Sequence, residues 1–395
     1  MRRPALFAAI ALLGCSAPRR QSTPDIAPLS LPFVADSQRS ERVTDGVARH
    51  FIYTANGPWA INVLDVDRGA CHAAVAVKGF PRAAGRKRTS QLLNELDSSG
   101  TVVGGVNADF FAPNGTPTNA HVSGGRVITG PNRQPVLAFD STGRPYVTRL
   151  VATSVLSNHA PMVIAGWNRP IADQLSVFDA NWGPATDSAS NAIELVIDVD
   201  SAGARLVAVD TMRSGVSIPP RGYVEVYRGA SRTLDIDSYR RRIGQPWDLP
   251  RIGVALDAMH PGAARPREVV GGRPVLIRDS AITSAVETEG AAGFATSRHP
   301  RTAVGIASHG KRLLLVTVDG RQKPYSDGMT LRELADLMLA LGARDAINLD
   351  GGGSTTLVYK DPATRRLAIA NRPSDPTGER AVGNALAIVK GCARP

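Results

Sequence analysis

The sequence predicts an α/β fold of the α+β kind: a mixed β-sheet core with helices packed on it, a β-rich N-terminal region and a β-rich insertion. Three observations carry this prediction. Apolar and polar residues alternate in short runs from Phe51 to Val77. Strand-like runs separated by turn residues recur between residues 150 and 260, and a strand–helix–strand pattern spans Leu313 to Leu349.

The strand–helix–strand pattern has clear boundaries. Leu313–Val318 predicts a strand, and Thr330 with Glu333 fits a capping box at the start of a helix. Gly342 stands where a left-handed helix cap is expected, and a second strand follows. One face of the helix is apolar, at Leu331, Leu334, Met338 and Leu341. We expect the two strands to be parallel, because such units cross over right-handedly within one sheet.

The N-terminus predicts export. Arg2 and Arg3 precede an apolar run that is too short to span a bilayer, so residues 1–14 indicate a signal peptide. The sequence Leu12-Leu-Gly-Cys15 resembles the lipobox of bacterial lipoproteins, in which Cys15 would receive lipid and anchor the protein to the membrane, facing the periplasm or the cell exterior. The alternative is an ordinary signal peptide cut near Ala17. Residues 15–40 are polar and Pro-rich, which predicts a flexible tether.

The remaining chain divides into two regions, and its charge pattern argues against nucleic acid as a partner. We expect a β-rich region over residues 41–100 and a catalytic domain over 101–390 that contains an insertion at about 150–260. The chain carries a formal charge of +11 at pH 7, yet its arginines are scattered and no nucleic-acid-binding motif is present. We therefore expect no nucleic acid, and favour an anionic glycan, a phosphodiester or an anionic membrane face as partner.

Two cysteines remain in the exported part of the chain. In an oxidising compartment, Cys71 and Cys392 are expected to form a disulfide between the first strands and the C-terminal end. The alternative is a pair of separate buried thiols.

A glycine-rich segment follows the second strand of the strand–helix–strand pattern. Three consecutive glycines after Asp350 let the backbone approach an anion closely, and Ser354 and Thr355 add hydroxyl donors. The segment lacks the Lys of a Walker loop and opens no helix, so it fits neither common nucleotide motif. A plain glycine turn is the alternative. The Asp319–Arg321 segment, ending the first strand of the pattern, is expected to lie nearby, which favours a polar ligand site.

Six motifs follow one another along the chain. They are Val106-Asn-Ala-Asp-Phe-Phe, His299-Pro-Arg-Thr-Ala-Val-Gly-Ile, Val318-Asp-Gly-Arg, Leu341-Gly-Ala, Ile347-Asn-Leu-Asp-Gly-Gly-Gly-Ser-Thr-Thr and Asn371-Arg-Pro-Ser-Asp. Together they resemble the phosphodiester glycosidase family, which includes N-acetylglucosamine-1-phosphodiester α-N-acetylglucosaminidases. The resemblance covers about residues 101–140 and 266–390, whereas 150–260 resembles no family that we can name.

The resemblance implies a hydrolase that cleaves a sugar-1-phosphate diester at the anomeric carbon. Its partner would be a glycan or glycolipid that carries this diester, as in exopolysaccharide-linked relatives. Carboxylates would activate water or stabilise a cationic sugar centre, and the candidates are Asp350, Asp319, Asp109 and Glu379. Arginine forks, backbone amides, hydroxyls and Asn side chains would bind phosphate and sugar, at Asn107, Arg301, Arg321, Asn348, Gly351, Gly352, Gly353, Ser354, Thr355, Asn371, Arg372 and Arg380.

Other functions are weaker interpretations of the same residues. The sequence has no zinc-ligand spacing, so we expect no cofactor, although the Asp cluster leaves calcium or magnesium as an alternative. A non-catalytic envelope protein that binds anionic polysaccharide or a teichoic-type polymer would suit the basic charge equally well. Carboxylates at the site favour an enzyme, because they would repel a polyanion in a pure binder.

The lipidation of Cys15 is testable by fractionation. If Cys15 carries the anchor, the Cys15→Ser protein should move from the membrane fraction to the soluble fraction, which immunoblotting of both fractions would detect. A variant that stays with the membrane to the wild-type extent would contradict lipid anchoring at Cys15.

Overall fold

We describe the fold from a computed structural model of the chain. The description covers residues 26–392 except 80–82, 153–163, 173, 188–191, 212–214, 229–234, 250–251, 253, 258–259, 261 and 290–292. The predicted signal peptide, Cys15 and the first part of the predicted tether lie outside the described residues.

The secondary structure consists mainly of short strands. The strands are β1 Ser37–Thr44, β2 Val47–Thr54, β3 Trp59–Asp67, β4 His72–Lys78, β5 Lys87–Arg88, β6 Val102–Asn107, β7 His121–Ser123, β8 Arg126–Thr129, β9 Pro135–Asp140, β10 Pro145–Ala152, β11 Gly166–Trp167, β12 Leu175–Asp179, β13 Ala192–Asp200, β14 Gly203–Asp210, β15 Tyr223–Arg228, β16 Pro246–Trp247, β17 Val254–Leu256, β18 Pro266–Gly271, β19 Val275–Arg278, β20 Ala281–Ile282, β21 Arg301–Ala307, β22 Arg312–Val318, β23 Ala343–Asn348, β24 Leu357–Lys360, β25 Leu367–Ile369, β26 Ala381–Val382 and β27 Asn384–Lys390. The α-helices are α1 Thr89–Leu96, α2 Ile236–Arg240, α3 Ala285–Thr288 and α4 Leu331–Ala340. Single 3-10 turns are Arg68–Ala70, Asp97–Ser99, Ser308–Gly310 and Gly352–Ser354.

The predicted α/β class is wrong, because the fold is β-rich. Strands make up 47% of the described residues and helices 12%. The helix pattern that ends at Gly342 is real but local, and most of the other strands pair antiparallel, either with the next strand or with strands far along the chain. The strand–helix–strand unit has a clear sequence pattern, but it does not represent the fold of the rest of the chain.

An eight-stranded sheet carries the strand–helix–strand unit. Its order is β1-β2-β3-β22-β21-β23-β19-β20. The strands β22 and β23 are parallel to each other, as predicted, but they are not neighbours, because β21 lies between them and pairs antiparallel with both. This places the start of β21 beside the end of β23, with Ala303 opposite Asn348.

A five-stranded sheet packs against the first sheet. Its order is β25-β24-β6-β27-β4. The packing is close at Gly104 on β6, where an added Cβ would lie 2.7 Å from a methyl carbon of Leu64 on β3. The shared core between the sheets includes Leu64, Val106, Val304 and Leu386, all fully buried.

The longest helix covers the outer face of the eight-stranded sheet. The predicted capping box of α4 is confirmed, since Thr330 Oγ1 accepts from Glu333 N at 3.1 Å and Glu333 Oε2 accepts from Thr330 N at 2.9 Å. Gly342 ends the helix with a left-handed φ of 87°, also as predicted. The apolar face that includes Leu334 and Met338 is fully buried against the sheet.

Two six-stranded sheets complete the molecule. One has the order β17-β10-β9-β18-β7-β8, and the other has the order β11-β12-β15-β13-β14-β16 and spans residues 166–247. A hydrophobic cluster that includes Val122, Leu150 and Leu195 joins them. The strands predicted at Ala192–Val199, Arg205–Val209 and Tyr223–Tyr227 all lie in the second of these sheets.

The segment predicted as a tether packs onto the body over its second half. Leu29, Leu31 and Phe33 contact the core beside α4, and β1 begins at Ser37, before the expected end of the tether. Apolar side chains at alternate positions explain this packing, because they gain from burial. Among the described residues, no helix is long and apolar enough to cross a membrane.

The disulfide between Cys71 and Cys392 is confirmed. It joins the turn before β4 to the residues after β27, and these two strands pair antiparallel along the edge of the five-stranded sheet. The bond therefore fastens both chain segments of that edge, as the cysteine positions predict.

Removing this disulfide should destabilise the protein. Its two cysteines are 321 residues apart, and in the chain-entropy model a loop of this size stabilises by about 5 kcal/mol. We expect the Cys71→Ser/Cys392→Ser protein to unfold at a clearly lower urea concentration than the wild type. Equal midpoints, with the wild-type bond verified by mass spectrometry, would show that the bond contributes little.

Candidate functional site

The glycine-rich loop, residues 350–356, crosses from the eight-stranded to the five-stranded sheet, because it joins β23 to β24. Two backbone hydrogen bonds fix its first half. Asp350 N donates to Ala108 O at 2.8 Å, and Gly352 N donates to Pro300 O at 2.9 Å. The loop is therefore held at the ends of β6 and β21.

All three glycines have a close neighbour, and the backbone requires glycine at Gly351 and Gly352. A Cβ at Gly351 would lie 2.6 Å from the carbonyl oxygen of Pro300, and one at Gly353 would lie 2.5 Å from the guanidinium carbon of Arg380. Gly352 has φ +60°, and a Cβ there would lie 3.2 Å from Arg321 Nη1. Two of the predicted phosphate-binding arginines thus lie directly against the loop.

Arg321 and Arg380 are the exposed cations of the site. Arg321 Nη2 lies 3.2 Å from His299 Nδ1, and burial together with Arg301 and Arg321 lowers the pKa of His299. Arg380 Nε donates to Asp375 Oδ2 at 2.9 Å. These contacts orient both guanidinium groups and leave other N–H groups toward solvent, where an anion can reach them.

Two carboxylates with raised pKa accompany the loop. Burial raises the pKa of Asp350 to about 6, and the Ser354 hydroxyl, the Gly351 amide and Arg380 oppose this rise. Burial also raises the pKa of Asp109 to about 7, and the charge of Asp350 adds to it. Asp109 Oδ2 accepts from Asn119 N at 3.0 Å. The pair therefore titrates near neutral pH, which suits acid and base catalysis.

Asp319 is also buried, but the protein occupies its oxygens. It accepts hydrogen bonds from Asn371 Nδ2 at 3.0 Å, from Tyr325 Oη at 3.1 Å and from the Arg372 amide at 3.0 Å. Burial raises the pKa of Asp319 to about 6 despite these donors. Such a carboxylate positions the loop around Asn371 and Arg372, rather than facing a ligand.

The three predicted asparagines differ in whether a side-chain atom remains available to a ligand. Asn107 Oδ1 accepts from Thr302 Oγ1 and Thr356 N, and its Nδ2 donates to Asp350 O at 2.7 Å. Asn371 is bonded on both its Oδ1 and Nδ2 atoms. Asn348 Nδ2 donates to Arg273 O at 2.7 Å, whereas its buried Oδ1 has no partner among the described residues. Only Asn348 therefore keeps a free acceptor for a ligand.

Unpartnered polar atoms concentrate around the loop. The buried hydroxyls of Ser354, Thr355, Thr356 and Ser374 and the Oδ1 atom of Asn348 have no hydrogen-bond partner among the described residues. The Ser354 hydroxyl nevertheless lies close enough to Asp350 to lower the pKa of that carboxyl. Native proteins pair nearly all buried polar groups, so this accumulation indicates a site that a ligand or water completes.

The backbone cradle predicted at residues 351–354 is narrower than expected. The amides of Gly352 and Ser354 donate to protein carbonyls, of Pro300 and Gly351 respectively. The Gly353 amide makes no hydrogen bond within the described part of the chain. An anion at the loop would thus meet one free amide together with the hydroxyls and the two arginines.

Three other predicted residues take structural positions. Arg301 is 2% exposed and donates to the carbonyl oxygens of Met329, Phe294 and Ser297, and burial lowers its pKa to about 10. Glu379 accepts from Ser90 N at 2.7 Å and so caps the first turn of α1, away from the other carboxylates. The Arg372 guanidinium lies 5.5 Å from the centre of the Tyr325 ring.

The sequence analysis missed residues that lie beside Asp109. Arg169, from the insertion, is half-buried, and burial lowers its pKa although the charge of Asp109 opposes this. Arg169 Nη2 also donates to Asn119 O at 2.7 Å. Phe110 packs edge to face with Phe294, at 6.0 Å between ring centres. The sequence pointed only to Phe110, which lies in one of the family motifs, because Arg169 lies in a segment without a motif.

Metal ligands do not converge in the described residues. No group of three or more His, Cys, Asp or Glu side chains there is arranged to hold a metal ion.

Comparison with known proteins gives a family match over part of the chain. Residues 196–389 match the phosphodiester glycosidase family, a range that holds Asp319, Arg321, Asp350 and Arg380. A curated relative, the SPbeta prophage-derived uncharacterized protein YomE of Bacillus subtilis (strain 168), is 45% identical over 58 residues, or 15% of this chain and 9% of its own length.

Solved structures share the fold. A hypothetical protein from Synechocystis superposes with a TM-score of 0.72 at 19% identity, covering 90% of this chain and 64% of its own. A Burkholderia pseudomallei K96243 protein predicted to be exported gives 0.65 at 26% identity, covering 84% and 74%. The zebrafish N-acetylglucosamine-1-phosphodiester α-N-acetylglucosaminidase catalytic domain gives 0.45 at 15% identity, covering 92% and 86%. The predicted resemblance to the phosphodiester glycosidase family is thus confirmed over residues 196–389.

Proposed function

We propose that the protein hydrolyses a sugar-1-phosphate diester at the anomeric carbon, releasing the sugar and a phosphate monoester. One observation carries this proposal: Asp350, with a raised pKa, shares the glycine-rich loop with two exposed guanidinium groups and a set of unpartnered hydroxyls. The phosphate of the diester can pair with the two arginines, and the sugar hydroxyls can form hydrogen bonds with the unpartnered atoms.

The phosphate fits the side of the loop where Arg321 and Arg380 lie. Their forks pair phosphate oxygens in two directions, and the Gly353 amide and the Ser354 hydroxyl add donors. Arg301 does not belong to this set, because its nitrogens are occupied by backbone carbonyls. Its role is to hold the segment before β21, on which His299 and thereby Arg321 are positioned.

The sugar fits the opposite side of Asp350. Asn348 Oδ1 accepts a hydroxyl or amide hydrogen there, since it is buried and lacks a donor. The Phe110 ring follows Asp109 directly and offers an apolar face for sugar C–H groups, with the Arg273 guanidinium 5.4 Å from its centre. Both features suit a ring that is polar at its edge and apolar on its face.

Asp350 and Asp109 have different roles in the proposed reaction. Ionised Asp350 takes a proton from water while the water oxygen bonds to the anomeric carbon, and the bond from that carbon to the phosphate oxygen breaks. The phosphate leaves as a monoester with the bonding electrons. It is already a good leaving group, so Asp109 needs to give only modest acid assistance. Arg321 and Arg380 stabilise the charge that develops on the phosphate oxygens.

The site of action follows from the same proposal. A lipid-anchored, exported protein would meet glycans or glycolipids with a sugar-1-phosphodiester at the cell envelope. The N-terminal pattern that ends at Cys15 and the disulfide between Cys71 and Cys392 support export, because disulfides persist in oxidising compartments.

Substitutions at the loop should separate chemistry from binding. Asp350→Asn should abolish turnover yet still bind the diester, because the amide keeps the shape but cannot accept the proton. Arg321→Ala should weaken both binding and rate, since a phosphate contact is lost in both states. Rates come from free-sugar release on a panel of sugar-1-phosphodiesters, and affinities from calorimetry with the same compounds.

Arg366→Ala is the matched control for the arginine, because Arg366 is exposed in the β24–β25 turn and far from the loop. It should leave both quantities unchanged. Near-normal hydrolysis by Asp350→Asn would move catalysis to another carboxylate. Binding of diesters without hydrolysis by the wild type would favour the envelope-binding alternative.

The pH dependence of the rate should have a maximum between about 6 and about 7. Below about 6, protonation of Asp350 removes the base, and above about 7, ionisation of Asp109 removes the acid. A pH profile of kcat/KM measures these two limbs. In Asp109→Asn the alkaline limb should disappear, whereas a wild-type rate that keeps rising beyond pH 8 would contradict an acid role for Asp109.

A further inference from the structure

A second cavity lies at the far end of the strands that carry the glycine-rich loop. Its volume is about 290 Å³, and residues from β10, from the turns after β19 and β21, and from the start of β23 line it. Ile306 and Asp345, which pair across β21 and β23, belong to its wall. The start of β21 lies five residues away, which is roughly 16 Å at about 3.3 Å per residue. The cavity is therefore separate from the site at the loop.

Positive charge dominates the lining. Arg144, Arg278 and Arg344 contribute three guanidinium groups, against the carboxylates of Asp279 and Asp345. Arg344 Nη2 donates to Asp279 Oδ1 at 2.7 Å, so this pair is neutral as a whole and Arg144 and Arg278 remain against the single carboxylate of Asp345. His260 and His309 add two imidazoles to the lining.

A buried aromatic ring holds two of these side chains in place. The ring of Tyr146 is 4.9 Å from the ring of His260 and 5.3 Å from the Arg144 guanidinium. The Nε2 atom of His260 is buried and has no hydrogen-bond partner among the described residues. The positioned guanidinium and the unpartnered imidazole offer charge and a hydrogen bond at one place.

We propose that this cavity is a second ligand site, which binds an anionic sugar unit. A sugar hydroxyl can bond to the unpartnered Nε2 atom of His260, and a carboxylate or phosphate on that sugar can pair with Arg144 and Arg278. The volume is near the lower limit of ordinary ligand pockets, which matches one sugar unit rather than a long segment. The inference does not depend on the reaction at the glycine-rich loop.

Calorimetric titration with trigalacturonate tests the site, since this probe carries carboxylates on sugar rings and contains no phosphodiester. The two test variants are Arg144→Glu and His309→Glu, which change exposed residues on two different segments of the wall. Arg221→Glu makes the same charge change as Arg144→Glu at an exposed turn that does not line the cavity. Arg321→Ala reports on binding at the loop.

We expect saturable binding to the wild type. Each cavity variant should weaken it by about tenfold, as expected for loss of a charge-assisted contact, while Arg221→Glu and Arg321→Ala bind as the wild type does. Release of sugar from a small sugar-1-phosphodiester should be unchanged in Arg144→Glu. The proposal is overturned if the wild type shows no saturable binding, if Arg221→Glu causes the same loss, or if only Arg321→Ala causes it.

Discussion

The hydrogen bonds of Asn107 determine the geometry of the candidate active site. This fully buried side chain on β6 accepts from Thr302 Oγ1 of the eight-stranded sheet at 2.8 Å and from Thr356 N at 3.1 Å, and donates to Asp350 O at 2.7 Å. It thus ties both sheets to both ends of the glycine-rich loop. Losing it would leave several buried groups unpaired, each at a cost of about 1–3 kcal/mol. We infer that the position of Asp350 depends on it.

The glycine-rich loop, which Asn107 holds in place, contains groups that lower the stability of the fold and suit ligand binding. Burial raises the pKa of Asp109, Asp319 and Asp350 above their ordinary value, so ionising these groups in the folded protein works against folding as pH rises. The unpartnered Ser354 hydroxyl adds to this cost. A sugar-1-phosphodiester would supply hydrogen-bond acceptors and a negative charge through its phosphate, and hydrogen-bond donors through its sugar hydroxyls. Perturbed groups of this kind concentrate at functional sites, which is the physical basis for placing the reaction here.

Local sequence signals predict some features well. Thr330, Glu333 and Gly342 define α4 through contacts within a few residues, and the cysteine count predicts the disulfide. The fold class fails because antiparallel pairing between distant strands leaves no local trace. Residue roles fail for the same reason: whether an Asn or Arg faces a ligand depends on neighbours far along the chain. Asn107 and Arg301 have the expected chemistry, but protein groups occupy them, and Arg169 reaches Asp109 from a segment without any motif.

The central claim is that the bond broken joins the anomeric carbon to the phosphate oxygen. Hydrolysis of a sugar-1-phosphodiester in water enriched in oxygen-18, followed by mass spectrometry of both products, tests this claim most directly. If water attacks the anomeric carbon, the released sugar carries the heavy oxygen at its anomeric position and the phosphate monoester is unlabelled. Heavy oxygen in the phosphate product would mean attack at phosphorus, and would contradict the assignment of Asp350 and its loop to glycoside chemistry.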